Sequence, residues 1–458
     1  MYQIDFHTPS HIYFCGIGGI SMSGLAEILL KEGFKVSGSD MRASSLTEHL
    51  TQAGAQVYIG QRAENITADI DCVVFTAAIH RDNPEFQETL TRGLPMLSRA
   101  ELLGQLMKNY PCPIAVSGTH GKTTTTSMIS EILMAADADP TVSVGGMLNS
   151  IGGNIRIGNG SHFVAEACEY TSSFLSMYPK VALILNIEED HLDFFKDLDD
   201  IRHSFHLFAK KVPSDGLLII NGDIENYEQL TDDLPCRVVT FGTGSSSDYY
   251  PLQISSQGEH GMTADIMTPT GAVTIALRVP GRHNIYNAMA ALAAADALGI
   301  DRGISLPALH CFEGSQRRFE YKGTFNGVTV IDDYAHHPTE ITSTLTAALD
   351  CPHEKLWCVF QPHTYSRTKA LLDDFAHALS KADAVVLADI YAARETDTLG
   401  ISSQDLCDRI RALGTECYYL PDFPSIEKFL LKKCIHQDML ITMGAGDIVK
   451  VGEALVQN

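Results

Sequence analysis

The run Gly118-Thr119-His120-Gly121-Lys122-Thr123-Thr124 combines the properties that a bound phosphate demands of a polypeptide. Backbone N–H groups must converge on the anion, and small residues let the chain wrap that closely. In such a loop Lys122 would reach the β- and γ-phosphates of ATP, and the Thr123 hydroxyl would ligate Mg2+. The run Ile114-Ala115-Val116-Ser117 reads as a strand before the loop, and Met128, Ile129, Ile132 and Leu133 recur at helical spacing after it. That order aims the positive end of a helix at the nucleotide. Only two residues separate the glycines, where the general pattern has four. The purely structural alternative is a glycine turn capped by a threonine helix start.

A second glycine turn, Gly16-Ile17-Gly18-Gly19-Ile20-Ser21, follows the apolar run Ile12-Tyr13-Phe14-Cys15, and Asp40 lies about twenty residues on. This is close to the dinucleotide pattern, with Ser21 at the third glycine position. A glycine turn over a helix N-terminus accepts any diphosphate, so an NAD-dependent dehydrogenase and a UDP-sugar enzyme both fit. The contacts would be Gly16, Gly18, Gly19, Ile20, Ser21 and Asp40; a ligand-free tight turn is the third reading.

Glu166 and Glu169 come just after the apolar stretch ending Val164-Ala165, and Asn186-Ile187-Glu188-Glu189-Asp190-His191 follows the run Val181 to Leu185. Strand-end carboxylates and a histidine beside a phosphate loop suit a Mg2+ that bridges ATP and a second anion. Taken alone, an acidic loop with one histidine is a solvated turn. Further on, Asp332-Asp333-Tyr334-Ala335-His336-His337-Pro338-Thr339-Glu340 reads as a strand end entering a helix, with Pro338 at the first helical position. Gln361 to Lys369 ends the next strand, and its Arg367 would meet a carboxylate. The bland reading of both is a helix start with exposed polar residues. Gly444-Ala445-Gly446 closes the final strand as a corner.

These groups need a scaffold, and 458 residues are too many for one hydrophobic core. Strand runs alternate with helical periodicity along the whole chain, which implies parallel sheets covered by helices. Further strand runs are Phe34 to Ser37, Cys72 to Thr76, Leu217 to Ile220, Val328 to Ile331, Leu356 to Phe360, Ala384 to Ala388 and Met439 to Thr442. Ser98-Arg99-Ala100-Glu101 forms a capping box for a helix to about Lys108, and Tyr286 to Leu298 is an alanine-rich helix. The breaks at Pro111-Cys112-Pro113 and Glu313-Gly314-Ser315 delimit three α/β domains in series: 1–110, 111–313 and 314–458.

Hydrophobic residues make up 45% and charged residues 19%, the balance of a soluble globular protein. No apolar run approaches the roughly 20 residues that a membrane span requires, and Met1 to Ser10 lacks the basic start and apolar stretch of a signal peptide. Eleven irregularly spaced cysteines without a C-x-x-C pair argue against disulfide and zinc frameworks and for a cytoplasmic location. A net charge of −23 disfavours nucleic acid and anionic lipid, while leaving room for small anions held by local cations, a metal or helix ends.

Taken together, the segments resemble the Mur ligase family. They are GIGGISMSGLAE (Gly16 to Glu27), SGTHGKTTTT (Ser117 to Thr126), NIEEDHLD (Asn186 to Asp193), PGRHNIYNAMAA (Pro280 to Ala291), RRFE (Arg317 to Glu320), DDYAHHPTE (Asp332 to Glu340) and FQPHTYSRT (Phe360 to Thr368). The resemblance accounts for the short phosphate loop, which in this family reads GT-x-GK-T. It implies a Rossmann-like N-terminal domain binding a UDP-sugar, a central P-loop ATPase domain and a C-terminal Rossmann-like α/β domain that receives an amino acid.

Carried over by residue, Gly118 to Thr124 hold the ATP phosphates. Thr123, Glu166 and His191 ligate Mg2+, with Glu169 as the fallback carboxylate. Asn287 contacts adenine, and Arg318 and Asp333 approach the nucleotide. Tyr334, His336 and Arg367 surround the amino acid and the product carboxylate, and some relatives have arginine at the position of Thr364. Lys122, Glu166, His191, His336 and Arg367 form the implied catalytic set. Related ligases use a carbamylated lysine in the central domain; Ile201 to Phe208 contains none, consistent with the alanine-adding branch.

The implied reaction joins L-alanine to the carboxylate of UDP-N-acetylmuramic acid in peptidoglycan precursor synthesis, by a monomer or homodimer. Phosphoryl transfer makes an acyl-phosphate, which the neutral amine attacks. Because acyl-phosphates hydrolyse, closure of the third domain over the second is expected to exclude water. A recycling ligase that attaches a tripeptide to the same UDP-sugar shares most of these motifs, and the dehydrogenase leaves Lys122 and the third block without a purpose.

Overall fold

The computed structural model describes residues 2–76, 78–192, 194–393 and 395–457, so Asp193, the last residue of the NIEEDHLD segment, lies outside the described residues. The chain forms two compact units, Met1–Ile187 with Asp199–Val239 and Glu188–Leu198 with Thr240–Asn458.

The first unit begins with five short strands, β1 (His11–Cys15), β2 (Lys35–Asp40), β3 (Gln56–Ile59), β4 (Cys72–Phe75) and β5 (Met96–Ser98). They form one parallel sheet in the order β3-β2-β1-β4-β5. β1 and β4 are buried along their whole length, the signature of a sheet covered on both faces. Successive strands are added on one side of β1 as far as β3 and on its other side from β4 onward, so the strand order reverses at β1 and a crevice opens at the carboxyl ends of β1 and β4.

A seven-stranded sheet follows, made of β6 (Cys112–Ser117), β7 (Thr141–Leu148), β8 (Gly153–Arg156), β9 (His162–Glu166), β10 (Val181–Ile184), β11 (Leu217–Asn221) and β12 (Arg237–Phe241). Its order is β12-β11-β10-β6-β9-β7-β8, with β6 at the centre and an antiparallel pair, β7 and β8, at one edge. The capping box is present as the sequence requires: Ser98 Oγ accepts from Glu101 N, and Glu101 Oε2 accepts from Ser98 N at 2.7 Å. The helix it opens, Arg99–Met107, packs its Gly104 directly on the backbone at Ser176. A Cβ at Gly104 would lie 1.9 Å from the Ser176 carbonyl oxygen.

The second unit contains a feature that the sequence reading did not anticipate, an antiparallel sheet of β13 (Tyr250–Ser256), β14 (Met262–Thr268) and β15 (Gly271–Leu277). Met262, Ala264, Ile266 and Thr268 are buried at every second position of β14, so the period-2 signal was there, though short and set among polar residues. The helix Arg282–Ala297 is buried on nearly all sides, as its alanine-rich composition allows.

The last sheet comprises β16 (Glu320–Phe325), β17 (Val328–Asp333), β18 (Leu356–Phe360), β19 (Ala384–Leu387), β20 (Glu416–Tyr419) and β21 (Met439–Met443), in the order β16-β17-β21-β18-β19-β20. Only β16 runs antiparallel to its neighbour. Trp357 and Val359 join one hydrophobic cluster, and Cys358 and Phe360 the other, so alternate residues of β18 feed cores on opposite faces.

Among the described residues all eleven cysteines are free thiols, and no helix is long and apolar enough to cross a membrane.

Gly104→Ala is expected to destabilise the protein by about 2–3 kcal/mol, because the added methyl meets backbone rather than a movable side chain. Urea unfolding of the variant beside the parent checks this; matching midpoints would mean that the packing at Ser176 yields.

Candidate active site

The phosphate loop leaves β6 through Gly118 at φ 142° and enters the helix Lys122–Ala135 through Gly121 at φ 82°. Side chains other than glycine rarely adopt such angles. A Cβ at Gly118 would also come within 2.9 Å of Leu185 Cβ. Asn186, just beyond β10, braces the loop from the side: its Oδ1 accepts from His120 N at 2.7 Å, its Nδ2 donates to the His120 carbonyl at 3.1 Å, and its carbonyl accepts from Thr119 N.

Lys122 Nζ donates to the carbonyls of Gly118 and Thr119 and to both Glu169 oxygens, at 3.1 and 2.9 Å. Glu169 is only 4% exposed. Burial alone would lower the Lys122 pKa; the neighbouring Glu169, Cys168 and Glu166 outweigh it, and the net shift is upward. The ammonium therefore stays charged.

Glu166, at the end of β9, accepts from Gly145 N through Oε1. A Cβ at Gly145 would fall 2.6 Å from Glu166 Oε2, and one at Gly146 3.1 Å from Thr123 Cγ2. The two glycines thus keep open a space flanked by a carboxylate and a hydroxyl-bearing side chain. Hard oxygen donors of this kind suit Mg2+.

The other glycine turn lies at the crevice of the five-stranded sheet. Gly18 N donates to Asp40 Oδ2 at 2.9 Å, and Arg42 N donates to Asp40 Oδ1 at 3.3 Å. Both Asp40 oxygens thus accept from the protein's own backbone, whereas a dinucleotide fold needs this acid for a ribose hydroxyl. A cleft of about 670 Å³ opens here, lined by Gly16, Gly19 and Asp40 together with Gln61, His80 and Asn83. Gly18, Ile20 and Ser21 do not line it, and the Ile20 side chain is exposed.

Behind the cleft, the fully buried Glu85 accepts from Tyr13 Oη at 2.8 Å, Ser39 Oγ at 2.7 Å, Asn65 Nδ2 at 2.7 Å and Arg62 N at 3.3 Å. It fixes the loop carrying Gln61, whose Oε1 accepts from Asn83 Nδ2 at 2.6 Å.

In the second unit the segment Arg317 to Glu320 turns sharply, with Arg317 at φ 59° and Phe319 at φ 50°. Arg317 holds that turn by donating to Asp332 Oδ2 at 2.9 Å and to the carbonyls of Gly444 and Gly446. Asp333 is buried and accepts from Phe319 N, Ala335 N and Thr344 Oγ1. Burial raises its carboxyl to about 6, against the opposing charge of Arg318.

Arg318 lies over the Tyr334 ring at 5.4 Å and 3.8 Å from Glu340 Oε1. Glu340 Oε2 accepts from His336 N at 3.0 Å. The His336 ring packs edge-on against Tyr334 and His363, and its Nδ1 is 3.0 Å from the Tyr334 carbonyl. Burial lowers its pKa to about 4, with Glu340 opposing and Arg367 assisting. Asn287, in the same helix as His283, donates to Asn284 Oδ1 at 3.2 Å.

Arg367 donates through Nη2 to Asp190 Oδ1 at 2.7 Å, and its Nη1 lies 3.5 Å from His363 Nδ1. The second unit therefore brings His336 and Arg367 against His363, with Tyr334 packed on His336, and His191 adjoins the same Asp190. Thr123, Glu166 and Glu169 belong to the first unit. Sequence reasoning gave no role to Asn186, Glu85 or His363, and took Asp190 only as one of the strand-end carboxylates beside His191. Asn186 and Asp190 lie in the NIEEDHLD segment and His363 in FQPHTYSRT, whereas Glu85 carries no local signal.

Three family models match the chain in succession: "Mur ligase family, catalytic domain" over residues 11–111, "Mur ligase middle domain" over 116–295, and "Mur ligase, glutamate ligase domain" over 317–446. The chain belongs to the Mur ligase family, whose members are ATP-dependent ligases. It is 61% identical over 459 positions to UDP-N-acetylmuramate–L-alanine ligase of Lachnospira eligens, with 100% of both chains covered. The crystal structure of UDP-N-acetylmuramate–alanine ligase from Thermotoga maritima superposes with a TM-score of 0.80 at 31% identity, covering 98% of each chain. The murein peptide ligase from Psychrobacter arcticus gives 0.70 at 26% identity, again covering 98% of each.

The pKa shifts make a signed prediction. His336, depressed to about 4, contributes stability above its ordinary value of 6.5 that is lost as pH falls toward 4. Asp333, raised to about 6, contributes stability at low pH that is lost as pH rises from its ordinary 3.8 through 6. The two groups therefore act in opposite directions between pH 4 and 6. Asp333→Asn removes the opposing contribution, and its stability should fall more steeply than the parent's between pH 6.5 and 4. Denaturant midpoints across that range measure it, and parallel curves would refute the assignment.

Proposed function

We infer that the chain is an ATP-dependent ligase joining L-alanine to the carboxylate of UDP-N-acetylmuramic acid through an acyl-phosphate, in peptidoglycan precursor synthesis. The observation that carries this reading is the charged, buried Lys122 in a glycine loop at the head of a helix, in a chain alike over its full length to an L-alanine ligase. Residues 1–110 are assigned to the UDP-sugar, 111–313 to ATP and 314–458 to the amino acid. We place the enzyme in the cytoplasm as a monomer or homodimer.

A carboxylate does not accept an amine, because oxide is too poor a leaving group. Attack of a carboxylate oxygen on the γ-phosphorus forms a new O–P bond and releases ADP. The neutral alanine nitrogen then adds to the acyl carbon, and the tetrahedral intermediate expels phosphate as the nitrogen loses a proton. Two anions must approach each other, so Lys122 and the loop N–H groups supply charge where it develops. Phosphate oxygens compete with Glu169 for Lys122.

Thr123 and Glu166, with His191 as the third ligand, would hold Mg2+, which neutralises phosphate charge when bound. Asn287, Arg318 and Asp333 are assigned to the nucleotide. Tyr334, His336 and Arg367 are assigned to alanine and to the product carboxylate. His336, held neutral by burial, presents an uncharged ring to the incoming amine. Identity of 61% to the alanine ligase against 26% to the murein peptide ligase favours the single amino acid over a tripeptide.

Phosphate release from ATP should require UDP-N-acetylmuramic acid, Mg2+ and L-alanine together, with each omitted in turn as the control. Lys122→Ala should abolish turnover while leaving UDP-sugar binding nearly intact; undiminished ATP consumption would contradict the loop assignment. Gly145→Ala, whose methyl displaces the Glu166 carboxylate, should raise the Mg2+ concentration for half-maximal rate about tenfold. An unchanged metal titration would remove Glu166 from the ligand set.

A further inference from the structure

One carboxylate in the second unit has a role that the assignments above leave open. Asp190 Oδ1 accepts two short hydrogen bonds at once, from Arg367 Nη2 at 2.7 Å and from the backbone N of His191 at 2.7 Å. Its Oδ2 lies 3.8 Å from His191 Nε2. The Asp190 and Arg367 side chains are 10% and 12% exposed. Burying such a pair costs both ions their hydration, so a pair of surface residues would be the cheaper way to gain stability alone.

Both ends of the pair are held. His191 sits at φ 55°, a strained conformation for a side chain with a Cβ, and the bond from its own N–H to Asp190 locks it there. Arg367 lies in the short helix Tyr365–Ala370, entered through Thr364 at φ 65°. That entry is pinned by Glu395, which accepts from Ser366 N at 3.0 Å and from Ser366 Oγ. The Arg367 backbone is thus fixed from one side and its guanidinium from the other. Only Nη2 and, at 3.5 Å, Nη1 meet protein partners among the described residues, which leaves the Nε edge of the planar fork for a ligand.

We propose that Asp190 is a positioning residue that orients the Arg367 guanidinium for the carboxylate of L-alanine and couples that clamp to the backbone at His191. The proposal deepens the function above and rests on its assignment of Arg367 to the amino acid. A free arginine would sample many rotamers and lose that freedom on each binding event; the buried partner settles the cost during folding.

The two bonds can be separated by substitution. Asp190→Asn retains an oxygen for His191 N but removes the counter-charge of Arg367, whereas Asp190→Ala removes both. Asp190→Asn should raise the KM for L-alanine about tenfold while the KM values for ATP and the UDP-sugar stay within about twofold. Its Mg2+ half-saturation should stay near the parent's, and only Asp190→Ala should shift it. Calorimetric binding of UDP-N-acetylmuramoyl-L-alanine without nucleotide or metal should weaken by a similar factor in Asp190→Asn.

In an Arg367→Ala background, adding Asp190→Asn should leave the alanine KM where Arg367→Ala alone puts it. Unchanged alanine KM and product affinity in Asp190→Asn, or effects that multiply independently in the double variant, would overturn the proposal. So would a uniform loss in all three KM values with a lowered thermal midpoint, which marks a purely structural role. A parent protein that releases no phosphate in response to alanine would instead sink the proposed function.

Discussion

A single ammonium group, that of Lys122, has to remain charged while buried in a protein of net charge −23. Burial opposes it, and the buried Glu169 carboxylate 2.9 Å away, with Cys168 and Glu166 nearby, more than compensates. The rest of the first unit follows from that requirement. β6 must be central so that the loop opens at the middle of a sheet, β9 must end beside it to deliver Glu166 and Glu169, and Asn186 must leave β10 close enough to brace the loop. An isolated loop of the same sequence would have neither the pair nor the brace.

Local chemistry was readable from the sequence, and long-range pairing was not. Glycine spacing before a helix announces a phosphate loop because few other residues tolerate φ 142° or φ 82°. A capping box is visible because its two partners stand three residues apart. Asp190 and Arg367 are separated by 177 positions, and nothing in either segment names the other. Glu85 looks like an ordinary acidic helix start, and only the fold brings Tyr13, Ser39 and Asn65 to it. The three-stranded sheet was missed because its alternation is interrupted by polar residues and the surrounding βα rhythm suggested continuation.

The second unit shows how one side chain can serve two neighbours. Glu340 receives the His336 N–H and faces Arg318, so a residue assigned to the amino acid and one assigned to the nucleotide share a counter-charge. Asp333 and Asp332, adjacent at the end of β17, are divided between the two faces: one accepts from the turn at Phe319, the other from Arg317 and Thr442. Neither acid is spare, and the left-handed residues at Arg317 and Phe319 persist because both ends of the turn are bonded.

The seam inside the first unit bears on how such chains can diversify. Gly104 touches the Ser176 carbonyl without an intervening side chain, and a methyl at Gly24 would strike Ile155. Lys31 Nζ reaches across to the carbonyls of Ile157 and Gly158. Surfaces matched this closely cannot drift separately: enlarging a residue on one layer requires a compensating loss on the other. A chimaera that exchanges the five-stranded layer between distant relatives would inherit steric conflict along that join, so recombination here is expected to succeed only when both layers travel as a cassette.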